Sequence, residues 1–361
     1  MTASDAAWLR LHLTRGLGRV GLLRLMEVFG DIEDILAAGA AAWQQAGIRP
    51  SAAKALPAAT DPDFQRAKQS LEQSGARIIP FCDMEAYPEL LRSIPDPPAL
   101  LYVRGQFPAG EALAVVGARR ASPNGLRLTS ELCASLAGRG ITIVSGLARG
   151  IDTAAHQGAL AGEGPTLAVL GCGIDQIYPP ENARLYTQIV ERGAIISEYP
   201  PGAPPLAAHF PGRNRIISGL SRGVLVVEAA AGSGSLITVD FALEQGREVF
   251  AVPAPVYSAT GQGVNQLLKD GARLVTDVAD IIDVLWPQRP RTPVSGCPEV
   301  HLELSPQLQL LHDLLGAEPV HVDELVRRSG LTPREVSASL LDLELQGGVE
   351  QLPGMRFLRS G

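Results

Sequence analysis

Lysine is almost absent from the chain: Lys54, Lys68 and Lys269 are the only three, so nearly every positive charge is an arginine. Arginine suits bidentate contacts with phosphate, although the base composition of a genome produces the same bias. The chain as a whole is acidic, with a net charge of −7 and a pI near 5.5. That balance gives no support to nucleic-acid binding over the whole surface and leaves a local basic patch as the open alternative.

Cysteine is scarce and long apolar runs are missing. Cys82, Cys133, Cys172 and Cys297 lie far apart without CxxC spacing, which argues against a zinc site and a disulfide framework. No stretch approaches the roughly 18 apolar residues that a membrane helix needs. The N-terminus lacks the basic head and apolar run of a secretory signal. We therefore expect a cytoplasmic protein that uses no membrane, metal or cofactor.

The composition changes along the chain and predicts several domains, as expected for 361 residues. The predicted parts are a helical N-terminal domain at 1–70, an α/β domain at 71–285, a proline-rich linker at 286–300 and a C-terminal domain at 301–361. Within 14–30, Gly16 and Gly18 precede apolar residues at a spacing close to that of a helix-hairpin-helix. Small helices that merely pack are an equally good interpretation.

Short β-rich runs alternate with helix-compatible stretches in the α/β domain. They are LAVVG (113–117), ITIVSG (141–146), TLAVLG (166–171), AIISEY (194–199), VLVVEA (224–229) and EVFAVPA (248–254). Such runs indicate a parallel sheet covered on both faces. IIPFC (78–82) and ALLYVRG (99–105) are predicted to extend it at one edge. The predicted fold is an extended Rossmann-like, doubly wound, mostly parallel sheet.

The C-terminal domain shows three helix signals followed by a hairpin pattern, which together predict a winged helix. Ser305 and Thr332 are expected N-caps, each followed by a proline at the first helical position, and Gly330 ends the middle helix. VEQLPGMRFLR supplies the hairpin.

A strand–turn–helix corner is predicted at SGLARG (145–150). Ser145 and Gly146 fall at the carboxyl edge of a parallel strand, where doubly wound folds bind ligands, and Arg149 follows in the same turn. Asp152 is expected to cap the next helix. Free backbone N–H groups at that helix start would favour an anion.

A similar hexapeptide, SGLSRG (218–223), ends a helix instead, and the interest lies at the start of that helix. An aromatic ring, two guanidinium groups and an amide gather there and suit base stacking with phosphate contact. The residues concerned are His209, Phe210, Arg213, Asn214 and Arg215. The alternative is that Arg213 and Arg215 form structural ion pairs with Glu198 or Glu228.

Two further corners point to the same edge of the predicted sheet. Arg119 and Arg120 follow the first strand of the α/β pattern, and Gly232, Gly234 and Ser235 lie between a later strand and its helix. Between 119 and 149 there are five arginines and only one acid. The four corners together favour an extended track for an anion over a single phosphate pocket.

These stretches together resemble the DNA-processing protein A family, DprA/Smf. The resemblance is carried by VVGARRASPNG, IVSGLARGIDTAAH, AVLGCGIDQIYPPEN, ISEYPPGAPP, HFPGRNRIISGLSRGVLVVEA, GSLITVDFALEQGREVFAVPAP and GVNQLLKDGARLV. It covers most of the chain, and the predicted terminal domains are also found in many members.

The resemblance implies a cytoplasmic, non-catalytic homodimer that binds single-stranded DNA entering during natural transformation. It also implies protection of that DNA, displacement of single-strand-binding protein and loading of the RecA recombinase. The family's motif positions correspond here to Arg119, Ser145, Gly146, Phe210, Arg213, Asn214, Arg215, Gly234 and Ser235. Some relatives place a lysine in the DNA groove where this chain has Ala207. Whether duplex DNA also binds stays open.

Two other classes of protein compete with this interpretation. The fold also resembles nucleotide-processing phosphoribohydrolases, but Ile237 and Thr238 stand where their catalytic acids would be. His156 and His209 have no metal-ligand partners at suitable spacing. A regulator acting through the winged helix is disfavoured because, from 301 onward, nine acids face five arginines and the candidate recognition helix carries only Arg334.

Overall fold

The computed structural model describes residues 2–289, 304–316, 318–346 and 348–359. The chain forms two compact units, residues 1–289 and residues 290–361. Most of the predicted proline-rich linker, together with Cys297, lies outside the described residues. No helix in the described ranges is long and apolar enough to cross a membrane.

The larger unit begins with five helices, three of which start at a side-chain cap. Thr2 and Asp5 form a capping box, and the side chains of Asp31 and Asp61 accept backbone N–H groups at the third and fifth helices. The helices are α1 (Ala3–His12), α2 (Arg19–Phe29), α3 (Ile32–Gln45, interrupted at Gly39), α4 (Pro50–Ala53) and α5 (Pro62–Ser74).

A nine-stranded sheet follows, and every predicted run forms one of its strands. The strands are β1 (Arg77–Pro80), β2 (Leu100–Gly105), β3 (Ala112–Val116), β4 (Thr142–Ser145), β5 (Thr166–Leu170), β6 (Ala194–Ser197), β7 (Gly223–Val226), β8 (Glu248–Ala251) and β9 (Arg273–Leu274). Their order is β1-β2-β6-β5-β4-β3-β7-β8-β9. Strands β3 to β9 pair in parallel, while β1 and β2 form the antiparallel edge. The predicted fold class is confirmed.

The chain reverses its direction of winding at β3. From this strand the sheet grows one way through β4, β5 and β6 and the other way through β7, β8 and β9. At the carboxyl edge of the sheet, the loop after β3 therefore leads to one face of the sheet and the loop after β7 leads to the opposite face. In doubly wound folds a ligand crevice lies at such a switch point, outside the carboxyl ends of the strands.

Helices cover both faces of the sheet because its central strands are apolar on both sides. The covering helices are α6 (Glu89–Arg92), α7 (Pro123–Gly138), α8 (Ile151–Ala161), a 3-10 turn at Pro180–Asn182, α9 (Ala183–Arg192), α10 (His209–Gly219), α11 (Gly234–Glu244), α12 (Gln262–Lys269) and α13 (Val278–Leu285). One face packs against α10, α11 and α12, and the other against α7, α8 and α13.

The N-terminal helices share a hydrophobic core with the antiparallel edge of the sheet. Trp8, Leu9 and Trp43 belong to the same buried cluster as Tyr102 of β2 and Ile195 of β6. A main-chain N–H of β1 also donates to the side chain of Asp5 in α1. The boundary at residue 70 stays a prediction, and residues 1–289 form one compact unit.

The smaller unit has the predicted three helices and hairpin. Its elements are α14 (Pro306–Leu314), β10 (Val320–His321), α15 (Val322–Ser329), α16 (Pro333–Leu345), β11 (Val349–Leu352) and β12 (Arg356–Arg359). Ser305 and Thr332 are N-caps as predicted, and Gly330 ends α15 in the left-handed region with φ of 69°. The added strand β10 completes a three-stranded sheet in the order β10-β12-β11.

Candidate functional site

A cleft of about 760 Å³ lies at the carboxyl ends of β3 and β7, where the winding reverses. Its walls come from the loops after β3, β4, β5 and β7 and from the first turns of α10 and α11. Most of the residues named from the sequence line it: Arg119, Arg120, Phe210, Arg213, Asn214, Gly234 and Ser235. Ala207 lines it as well.

The loop after β3 supplies the open positive charge. Arg119 and Arg120 are both exposed, and neither forms an ion pair with another described residue. The guanidinium carbon of Arg119 lies 5.6 Å from the centroid of the Phe210 ring. The far end of the loop is fixed, because the main-chain N–H and the hydroxyl of Ser122 donate to the Glu228 carboxylate at 3.1 and 2.5 Å. A fixed loop with unpaired guanidinium groups is suited to an incoming anion.

The polar groups of the SGLARG loop after β4 are bonded to neighbouring parts of the protein. Ser145 is fully buried, and its hydroxyl donates to the carbonyl of Val115 at 2.6 Å. The N–H groups of Gly146 and Ala148 donate to Asp152 at 3.2 and 3.3 Å. Direct binding of DNA by Ser145 and Gly146 stays a prediction, but their polar groups already have partners inside the protein.

Asp152 was expected to cap α8, and that expectation is wrong. The N-cap of α8 is Gly150, which makes no side-chain cap, while Asp152 reaches back into the preceding loop. Burial raises the pKa of Asp152, and the positive charges of Arg213 and Arg119 act in the opposite direction. The Asp152 carboxylate therefore fixes the conformation of the loop after β4 and lies within the electrostatic influence of Arg213 and Arg119.

Arg213 is buried beneath the cleft, with only 4% of its surface exposed. Its guanidinium donates to the carbonyl of Gly146 at 2.7 Å and also to that of Val169, so it joins α10 to the ends of β4 and β5. The guanidinium carbon lies 5.8 Å from the Phe210 ring centroid. This arrangement holds the ring in place at the sheet edge.

Arg215 forms the ion pair that the alternative interpretation predicted for it. Its Nη2 donates to both oxygens of Glu198 at 2.7 Å, and its Nε donates to Asp96 at 3.0 Å. Asp96 also pairs with Arg19 at the start of α2. Glu228, the other acid considered, accepts from Ser122 instead. Only 6% of Arg215 is exposed. The carboxylates of Glu198 and Asp96 therefore compensate its charge inside the protein.

The first turn of α11 forms the wall opposite Arg119. Ser233 is the N-cap and accepts from the N–H of Ser235, and the two hydroxyls lie 2.8 Å apart. Gly234 is exposed, and its carbonyl accepts from the amide of Asn214 at 3.3 Å. Deeper in the same helix, the hydroxyl of Thr238 is buried and has no hydrogen-bond partner among the described residues. The positive end of an eleven-residue helix thus faces the cleft.

His209 has a structural contact rather than an open position. Its ring stacks on Tyr199 with centroids 4.0 Å apart, and its Nδ1 lies 3.2 Å from the carbonyl oxygen of Gly171.

Cys172, next to Gly171 in the loop after β5, is buried, and burial raises the pKa of its thiol to about 11. No group of three or more possible metal ligands forms in the described part of the chain.

Tyr178 and Glu181, which were not singled out from the sequence, each contact a residue that was. Tyr178 lines the cleft, and its ring centroid lies 5.7 Å from that of Phe210. Glu181 forms an ion pair with Arg149, and this hydrogen bond raises the pKa of the arginine and lowers that of the acid. The sequence signal for both was the segment IYPPEN (177–182), which lies in the connection between β5 and α9.

The fold and the cleft define a class of protein: a doubly wound α/β protein with an arginine-bearing cleft at its topological switch point. Comparison with known proteins makes the class more specific. A family model for DNA recombination-mediator protein A matches residues 77–285, and a model for the DprA winged helix domain matches residues 298–355. The chain belongs to the DNA-processing protein A family, DprA/Smf.

Individual relatives agree with this assignment. Protein Smf of Escherichia coli K12 is 46% identical over 293 residues, which cover 79% of this chain and 78% of that protein. The X-ray structure of DNA processing protein A from Streptococcus pneumoniae aligns with a TM-score of 0.64 at 36% identity, over 79% of this chain and 99% of that one. The Helicobacter pylori protein, whose structure concerns its single-stranded DNA binding mode, aligns with a TM-score of 0.53 at 30% identity, over 60% of this chain and 99% of that one.

Proposed function

We propose that this protein binds single-stranded DNA in the cleft at the sheet edge and acts on transforming DNA in the cytoplasm. The observation that carries the proposal is that Arg119 and Arg120, which have no ion pair among the described residues, line the same cleft as a partly exposed aromatic ring, Phe210. Phosphate contact combined with base stacking is the common mode of single-strand binding with little sequence preference. The DNA-binding relative from Helicobacter pylori supports the same assignment.

The residues of the site divide into two roles under this proposal. Arg119, Arg120, Phe210, Asn214, Gly234 and Ser235 contact the strand directly. Buried residues position them: Arg213 and Arg215 fix α10, while Ser145, Gly146 and Asp152 shape the loop after β4. Ala207 offers no charge at the cleft, so the contact that a lysine makes in some relatives shifts to Arg119, and to Arg149 where a phosphate displaces Glu181 from it.

Binding without hydrolysis fits the chemistry of the cleft. Among the described residues that line it, Asp152 is the one carboxylate, and one of its oxygens already accepts two main-chain N–H groups. This carboxylate is buried and bonded to the loop after β4, whereas a general base has to reach the proton that it takes from the substrate or from water. We therefore assign the protein a binding role rather than a nucleotide-processing one.

The partners implied by the family complete the proposal. A strand held along the sheet edge would be shielded from nucleases, and a homodimer would hold two such strands. Loading of RecA and displacement of single-strand-binding protein are the steps that would follow. In the smaller unit, the exposed face of α16 carries Leu341 and Leu345 with Arg334 as its only base, a composition that favours protein contact over groove reading.

The proposal is tested by anisotropy of a fluorescent oligo-dT strand across a salt series. We expect log K to fall with log salt by about 0.7 for each phosphate neutralised. A duplex of equal length and a free mononucleotide serve as competitors and should displace the strand poorly. Failure to bind oligo-dT, or displacement at low mononucleotide concentration, would contradict the proposal.

The Arg149–Glu181 pair predicts a variant with tighter binding. Glu181→Gln removes the negative charge that occupies Arg149 and leaves this guanidinium free for a phosphate. Because the pair is exposed, we expect a modest gain in oligo-dT affinity at low salt, about two- to fivefold. The salt dependence should also become steeper by up to about 0.7.

A matched control for this variant is Glu191→Gln. Glu191 is also exposed and lies at the end of α9, next to the amino end of β6 and thus at the opposite edge of the sheet. An equal gain from both variants would mean that net charge alone is responsible.

A further inference from the structure

We propose that Tyr178 forms a second stacking surface of the cleft and holds the base next to the one on Phe210. The inference rests on the proposed binding of single-stranded DNA. It adds a contact by which the protein would distinguish a single strand from a duplex. It follows from the exposure of the Tyr178 ring, the rigidity of the segment that carries it and its distance from Phe210.

The ring of Tyr178 is exposed although its segment is firmly held. Forty per cent of Tyr178 is exposed, and Tyr257 is the only described aromatic residue with more exposure. On one side, the hydroxyl of Tyr186 in α9 donates to the carbonyl of Ile174 at 2.6 Å. On the other, the amide of Asn182 donates to the carbonyl of Leu147 at 3.0 Å. An exposed ring on a segment fixed at both ends loses little conformational entropy when a base stacks on it.

Phe210 is more enclosed than Tyr178. Its ring has the guanidinium groups of Arg119 and Arg213 within 5.8 Å of its centroid. A methyl group added at Gly171 would meet the edge of the same ring at 2.8 Å, so the main chain lies close beneath it. Tyr178 therefore presents the larger open aromatic surface in this part of the cleft.

The two rings cannot enclose one base between them. Their centroids are 5.7 Å apart and their planes are inclined by 39°, which is the geometry of two rings already in contact. Each ring must therefore receive its own base on an open side. The distance of 5.7 Å between the two ring centroids exceeds the rise of about 3.4 Å per base within a duplex strand. Two neighbouring bases can occupy the rings only when the strand is stretched and unpaired.

The test compares Tyr178→Ala, Tyr178→Leu and Tyr178→Phe for binding to oligo-dT and to an oligomer of the same length with abasic sites. Loss of a stacked base should weaken oligo-dT binding by about tenfold in the first two variants. Tyr178→Phe keeps the aromatic face and should bind within about twofold of the original protein. On the abasic strand all four proteins should bind alike, because no base is present to stack.

The salt dependence provides a second readout that a general loss of structure would not reproduce. Stacking releases no counterions, so the slope of log K against log salt should not change in Tyr178→Ala. Normal oligo-dT binding by Tyr178→Ala and Tyr178→Leu would overturn the inference and leave the proposed function intact. Equal losses on oligo-dT and the abasic strand would overturn it as well. If the original protein failed to bind oligo-dT, the proposed function itself would fall.

Discussion

Arg215→Ala is expected to lower the free energy of unfolding of the larger unit by about 3–5 kcal/mol. The guanidinium of Arg215 compensates Glu198, whose side chain is only 18% exposed, and it also reaches Asp96. Without it a carboxylate remains in a poorly hydrated position with no cation beside it. Tryptophan fluorescence during urea denaturation measures the effect selectively, since Trp8, Trp43 and Trp286 all lie within residues 1–289.

Arg222→Ala is the matched control for this loss of stability. Arg222 also forms an ion pair, with Glu111, but its side chain is 50% exposed and water can replace the partner. The expected cost is below about 1 kcal/mol. Replacing Glu198 as well, in Arg215→Met/Glu198→Gln, should recover part of the lost stability. Equal losses from Arg215→Ala and Arg222→Ala would show that burial of the Arg215 pair has no energetic consequence.

Arg119→Ala is expected to weaken binding of oligo-dT by about ten- to hundredfold without lowering stability. A guanidinium contributes about 1.5–3 kcal/mol through a charge-assisted bond to phosphate, and that contribution is lost with the side chain. The slope of log K against log salt should become shallower by about 0.7 for the one phosphate contact removed. Fluorescence anisotropy at several salt concentrations measures both quantities.

The control for this binding variant is Arg192→Ala. Arg192 is exposed like Arg119 but ends α9 beside the amino end of β6, at the edge of the sheet away from the cleft. It has the same charge and should change the affinity little. A comparable loss in both variants would mean that the strand is attracted by the total charge of the protein rather than by the cleft.

The strands and the sheet edge could be predicted from the sequence because apolar periodicity and glycine corners are local signals. LAVVG predicted β3, and the two arginines after it were expected at the carboxyl edge, where the structure has them. The burial of Arg215 was not predictable in the same way. Its partner Asp96 is 119 residues away in the chain, and no local pattern connects them.

Competition between Asp152 and an external anion for the same N–H groups explains why the SGLARG loop differs from its prediction. The N–H groups of the SGLARG loop were expected to bind an external anion, but Asp152 lies close enough to accept their hydrogen bonds. Spacing alone could not decide between capping a helix and closing the loop before it, because both require an acid within the first turn. Tyr178 was missed for a related reason: an isolated tyrosine has no periodicity that separates a packed ring from an open one.

Asp96 contacts arginines from two different regions, Arg19 of α2 and Arg215 of α10. Removing residues 2–74 to obtain a smaller DNA-binding fragment would thus change the surroundings of α10 while exposing the apolar side chains of β2 and β6 to water. Such a fragment is expected to aggregate. A loss of DNA binding in this fragment would reflect damage to the sheet, so contributions of the N-terminal helices are better assigned by point substitutions that leave residues 2–74 in place.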